Sequence, residues 1–280
     1  MKKLAATAII FFGLGFGFAN RHDLIFWLQD TQSQKDIPEA VARVDIENTG
    51  PEIVVEDIET TTSTVKVVED ESEETATSTP ELPKSEDIKP DAPIQFNLKI
   101  PFTSQAPHAN WDMPYQEACE EASILMSLWF INGDEAKTKE EADAAILELV
   151  AWQEATFGYY KDTTVEETLH VMHDRFGLTD AYSIDDPTIE QIQNAIALGY
   201  PVIVPAAGRH LDNPNFTGEG PLYHMLVIRG YTETEFITND PGTRRGEQFR
   251  YNKEHLMSVI HDWNGGDVDN GKRAVIIAKN

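Results

Sequence analysis

Apolar and polar positions divide the chain into three stretches of different rhythm. Residues 4–19 are apolar on every face, and two lysines stand in front of them. Residues 21–92 carry too few apolar side chains to offset the entropy of ordering the backbone, so no packed core is expected there. From residue 93 onward the pattern is that of a folded domain. Ile94, Phe96, Leu98 and Ile100 alternate, which predicts a strand, and the proline-bearing run TSQAPHANWDMPYQ predicts a loop. Ala122, Leu125, Met126 and Trp129 recur at helical spacing in a segment that begins near Cys119 and stops at Asn132 and Gly133.

Helices are predicted next over residues 137–158, 164–177 and 188–201. Thr164 with Glu167 and Thr188 with Gln191 have the spacing of a capping box. The rhythm then turns to strands, at residues 202–206, 223–231 and 235–240, followed by a helix at 254–263 and a closing strand at 273–279. A helical first half and a mainly β second half make an α+β domain of residues 93–280.

Composition changes the picture most outside that domain. Two lysines followed by a short apolar run, with Gly17 and Ala19 as a small-x-small site, give residues 1–20 the layout of an export signal, either cleaved or kept as a membrane anchor. Extracytoplasmic location follows, secreted or membrane-anchored. The chain has a net charge of −26, and half of it lies in residues 21–91, which hold 19 acidic and 6 basic residues. That stretch, rich in Thr, Glu, Ser and Pro, is read as a disordered linker or a pro-segment that restrains the domain. So acidic a chain excludes a nucleic-acid backbone or an anionic lipid surface as a natural partner.

One cysteine in 280 residues rules out an intrachain disulfide framework. Cys119 falls in or beside a first helical turn, where free backbone N–H groups favour a thiolate. Acyl transfer further needs a base, a group that orients the base, and a donor for the oxyanion. His224 opens an apolar strand, and Asp240 closes the next one before a Pro-Gly turn, so a tight connection brings the two together. Gln105, in the loop leading to the cysteine helix, can donate its amide to an oxyanion, although Gln116 competes for that role.

With IPFTSQ, ACEEASILM, GYPVIV, YHMLVIRGY and ITNDP in this order, the chain resembles the C39-like family of papain-fold cysteine peptidases over residues 94–279. The resemblance implies a papain-like fold with an antiparallel β second half. It also implies a peptide or protein substrate and no cofactor. Cys119 would be the nucleophile, His224 the general base and acid, Asp240 the orienting residue, and Gln105 with the Cys119 N–H the oxyanion donors. Members commonly follow the cysteine with Gly-Pro, where this chain has Glu120 and Glu121. Negative charge beside sulfur raises a thiol pKa unless those side chains turn away. Nothing indicates the transporter of the bacteriocin-processing branch, so that branch's leader-peptide substrate is not carried over.

Other residues have their own expectations. Trp111 is expected to line a cleft, and His210 and Asp212, in a long loop before His224, to contact substrate. His170 and His173 have a spacing that can chelate metal, but no ligand set accompanies them, so no metal site is expected. Trp152, Phe157, Tyr159 and Tyr160 read as core and core edge. Two alternatives stay open: transglutaminase- or amidase-like acyl transfer with the same residues, and a surface binding module in which Cys119 is structural.

Overall fold

The computed structural model describes residues 37–48 and 93–280. The expected export segment, residues 1–20, and most of the acidic stretch lie outside them. Among the described residues no helix is long and apolar enough to cross a membrane.

The elements are α1 (Arg43–Asn48), β1 (Phe96–Asn97), α2 (Cys119–Ile131), α3 (Lys139–Phe157), α4 (Val165–His170), β2 (Tyr182–Asp185) and α5 (Ile189–Ala197). There follow β3 (Val202–Ala207), β4 (Tyr223–Tyr231), β5 (Glu235–Asn239), β6 (Phe249–Asn252), α6 (Lys253–Ser258) and β7 (Ala274–Ile277). The strands form one antiparallel sheet in the order β2-β7-β3-β4-β5-β6, with β1 pairing to the far end of β4. The α+β reading therefore holds: helices dominate the first half and the sheet the second.

The first-half helices begin where their side chains can satisfy free N–H groups. Thr138, Thr164 and Thr188 each accept from the backbone N–H three residues on, and Glu141, Glu167 and Gln191 bond back, completing three capping boxes. α2 differs. It has no side-chain cap, and twelve of its thirteen residues are buried because it is enclosed by β3, β4 and α3. Enclosure on all sides removes the polar face that a surface helix shows, and it carries Glu120 and Glu121 inside with the apolar residues.

Two predicted elements end early for identifiable reasons. The strand expected from Ile94 is regular only at Phe96 and Asn97: Leu98 N still donates to Arg229 O at 2.7 Å, but Ile100 N then turns back to Leu98 O at 2.9 Å, and the carbonyls beyond are taken by side chains. Arg229 Nη1 donates to Ile100 O at 3.1 Å, and Asn239 Nδ2 donates to Ile100 O at 3.2 Å and Pro101 O at 3.3 Å. Arg229 sits where the β4–β5 register slips, buried, with Nε also donating to Asn97 Oδ1 at 3.0 Å. Burial lowers its pKa to about 10, still far above neutrality. The helix expected to reach Trp263 stops at Ser258, and Ile260 instead bridges Ala206 at the end of β3.

Residues 37–48, inside the stretch read as linker or pro-segment, lie against the domain. Val41 N donates to Asn97 O and accepts at its own carbonyl from Lys99 N, both at 2.8 Å, adding one parallel bridge beside β1. Ile46 packs onto Gly199 at the end of α5, where a Cβ would lie 3.1 Å from the isoleucine side chain.

Candidate active site

α2 and β4 bring the thiol and the imidazole together. Ser123, one turn after Cys119, donates its hydroxyl to Met225 O at 3.2 Å, which fixes the helix start beside the strand position that follows His224. Cys119 and His224 line one cavity of about 990 Å³, with Gln105, Trp111 and Gln116 also in its wall.

His224 is held from two sides. Its Nε2 lies 2.7 Å from Asp240 Oδ1, with both side chains buried. Phe216 meets the ring edge-on at 5.3 Å, and Gly242 passes so close that a Cβ there would be 2.8 Å from His224 Cε1. Asp240 is in turn saturated with donors. Oδ1 accepts from Gly242 N at 3.0 Å, while Oδ2 accepts from Tyr251 Oη at 2.7 Å and Asn213 Nδ2 at 2.9 Å. Burial alone would raise this carboxyl, but the charge of His224 and the bonds from His224, Tyr251 and Gly242 outweigh it and hold it below the usual range. An ionised Asp240 requires Nε2 to carry the proton, which leaves Nδ1 as the basic nitrogen.

The sulfur has a different neighbour. Cys119 Sγ donates to Glu120 Oε2 at 3.1 Å and accepts the Met225 N–H. Burial first, then the charge and hydrogen bond of Glu120, push the thiol well above its ordinary value. Glu120 itself is raised to about 8, chiefly by burial. Glu121 is also raised, by burial and by Glu120, and is bonded by Gln153 from α3. Neither carboxylate turns away into solvent.

The other expected residues divide. Gln105 is in the wall of the cavity, tied by its backbone N–H to Pro241 O at 3.0 Å, just beyond Asp240. Its Nε2 donates to Tyr115 O at 2.9 Å and Gln116 O at 3.1 Å, and its Oε1 is buried with no partner. Trp111 is in the wall and 40 % exposed, as a cleft-lining aromatic should be. His210 and Asp212 are not in the wall. His210 pairs with Asp269 at 3.0 Å on the surface, and Asp212 takes a left-handed φ of 52° at the end of the short helical turn Gly208–Leu211. The loop does rim the cavity, through Arg209, residues 214–217 and residues 220–222. His170 and His173 do not act together, since one pairs with Asp174 and the other with Ala181 O.

Sequence reasoning missed Tyr251, Asn213, Phe216 and Gly242. Phe249 and Tyr251 alternate within FRYN, a signal short enough to pass as loop, and it is what places Tyr251 beneath Asp240.

A thiol at a helix start and a strand imidazole in one cavity wall, with a saturated buried carboxylate behind the imidazole, are the groups that a thiol hydrolase uses. A family model described as the Peptidase_C39 like family matches residues 97–265, more than half of the chain, and the chain belongs to that family. Its α+β fold is accordingly papain-like. A crystal structure of a Bacillus anthracis protein assigned as a C39-like peptidase is similar at 16% identity, with a TM-score of 0.42, over 65% of this chain and 96% of that one. No curated protein matches the chain.

Proposed function

We propose that the chain is an exported or membrane-anchored cysteine peptidase that hydrolyses peptide bonds through an acyl-enzyme. The observation that carries this reading is the buried contact of His224 Nε2 with Asp240 at 2.7 Å, which reserves Nδ1 for the thiol that shares its cavity. Cys119 Sγ attacks the scissile carbonyl carbon as its proton passes to Nδ1, and the carbonyl oxygen becomes an oxyanion. The imidazolium then protonates the leaving amine as the C–N bond breaks. Water, deprotonated by the same nitrogen, attacks the thioester, and the carboxylic product departs as the thiol is restored.

Backbone N–H of Cys119 is one oxyanion donor in this scheme. Gln105 becomes the second by turning one amide proton from the Tyr115 or Gln116 carbonyl. Trp111 supports the substrate chain, whereas His210 and Asp212 have no part. The substrate class is a peptide or an unstructured protein segment, and export rests on the apolar run of residues 4–19.

The test is hydrolysis of a mixed peptide library by the full chain and by Cys119→Ala, with folding checked by circular dichroism. Loss of about 10³-fold or more in the folded variant is expected. Hydrolysis retained by folded Cys119→Ala overturns the reading. An added primary amine that appears in the product, in place of water, would shift the assignment to transglutaminase-like transfer.

A further inference from the structure

Glu120 has no part in the scheme above, yet it touches the atom on which that scheme turns. It is 1% exposed on the first turn of α2, and its Oε2 is 3.1 Å from Cys119 Sγ. Among the described residues no hydrogen bond joins Sγ to the His224 ring, whose Nε2 is engaged by Asp240. With no substrate bound, the S–H is therefore directed at a carboxyl oxygen of Glu120 and not at the imidazole.

The surroundings reinforce that choice. On its own element the sulfur is near Glu121, and Tyr223 and His224 face it from β4. Glu117 just before the helix, and Asp162 and Tyr160 from the segment after α3, face Glu120 in turn. All of these but His224 are acids. A thiolate at this position meets Glu120, Glu121 and Tyr223, whereas a thiol gains a hydrogen bond to Glu120. Gln153 holds Glu121 from α3, so the acidic pair has no easy path to solvent.

We infer that Glu120 is a positioning residue that holds Cys119 as a hydrogen-bonded thiol in the substrate-free protein, and that the nucleophile forms only when Sγ turns from Glu120 to His224 Nδ1. In that turn the S–H bond breaks and an N–H bond forms on the imidazole, with no other reactant. The inference rests on reading Cys119 as the nucleophile. It assigns this chain a latent sulfur, where a preformed thiolate and imidazolium pair would be alkylated readily at any pH above about 5.

The experiment is alkylation of the full chain by iodoacetamide from pH 5 to 11, followed by mass spectrometry, with wild type and Glu120→Gln side by side. Cys119 is the sole cysteine, so every thioether formed reports it. Each event forms a C–S bond, releases iodide and passes the thiol proton to buffer. The wild-type midpoint is expected above the ordinary thiol value of about 8.5. In Glu120→Gln the midpoint is expected to fall by at least one unit, raising the rate near pH 9, where Glu120 is ionised, about tenfold or more. A wild-type midpoint at or below 8.5, or a Glu120→Gln profile that superimposes on it, overturns the inference. Should the variant not fold, the wild-type midpoint decides on the same criterion. No peptide enters this measurement, so it stays separate from the peptidase assay: hydrolysis retained by Cys119→Ala sinks the function, and an ordinary thiol profile sinks only the role of Glu120.

Discussion

His224 and Asp240 form one buried unit: imidazole Nε2 to carboxylate at 2.7 Å, with four donors converging on the two carboxylate oxygens. An amide at position 240 accepts with one atom and donates with the other, so Asp240→Asn admits the tautomer with its proton on Nδ1, the wrong one for a base. Hydrolysis by Asp240→Asn is expected to fall by about 10²–10⁴-fold with little change in KM. Steady-state kinetics on a peptide cleaved by the wild type checks this, and an unchanged kcat removes Asp240 from the scheme.

Gly242 should matter for room rather than for backbone freedom. A methyl group there would lie 2.8 Å from His224 Cε1 and 2.9 Å from Phe216 Cε1, closer than real side chains approach. Gly242→Ala is expected to keep the fold and lower kcat by tenfold or more, because the imidazole must tilt off its bond to Asp240. Near-ultraviolet circular dichroism and kcat, measured together, separate this from general unfolding.

Stability is expected to decline from weakly acidic to alkaline pH. The Glu120 carboxyl ionises near 8 in the folded chain, against 4.5 for the ordinary group. Its folded-state pKa is raised, so its contribution is complete below 4.5 and is lost as pH climbs to about 8. Asp240 runs the other way: its pKa is lowered, so its contribution is present above 3.8 and lost as pH falls further. Tm should peak near pH 5, as a rough figure, and drop toward pH 9. Glu120→Gln should flatten the alkaline limb, and a wild-type Tm that rises from pH 5 to 9 contradicts the burial of Glu120.

The described part of the acidic stretch is expected to brace the domain and not to block it. No residue of 37–48 lines the cavity, while Val41 donates to Asn97 O and accepts from Lys99 N, on either side of Leu98. Val41→Pro removes one of those bonds and should cost about 1 kcal/mol or more, read as a lower Tm, with hydrolysis unchanged. Faster hydrolysis by Val41→Pro would instead show that this segment restrains the site.

Legibility in the sequence followed burial and distance along the chain. β3, β4, β5 and β7 were readable because sheet burial makes them near-continuous apolar runs, and α4 and α5 because Thr164 and Thr188 announce their starts. β2 and β6 were not, since YSID and FRYN are edge strands with mostly exposed or half-exposed side chains. In the candidate site, Cys119, His224 and Asp240 stand at or beside element ends, where a local pattern points, and Gln105 is in the loop that leads to α2. Asn213 and Tyr251 reach Asp240 from 27 and 11 residues away, and no local pattern encodes that. Glu120 was legible as an acid beside the sulfur that raises its pKa unless it turns away, but its direction was not, because that depends on how β3, β4 and α3 enclose α2. His210 and Asp212 were sought in the right loop, which turns its neighbours inward and these two outward.

That loop has a further consequence for anyone who would retarget the protein. Asn213 bonds the carboxylate that orients the imidazole, Phe216 bears on the imidazole itself, and residues 214–217 and 220–222 form the rim of the cavity. On the proposed mechanism, selectivity and turnover would rest on the same short piece of backbone. A loop exchanged to suit a new substrate would also remove the splint from the base, so libraries should keep Asn213 and Phe216 fixed and vary only Arg209, Thr217 and Leu222.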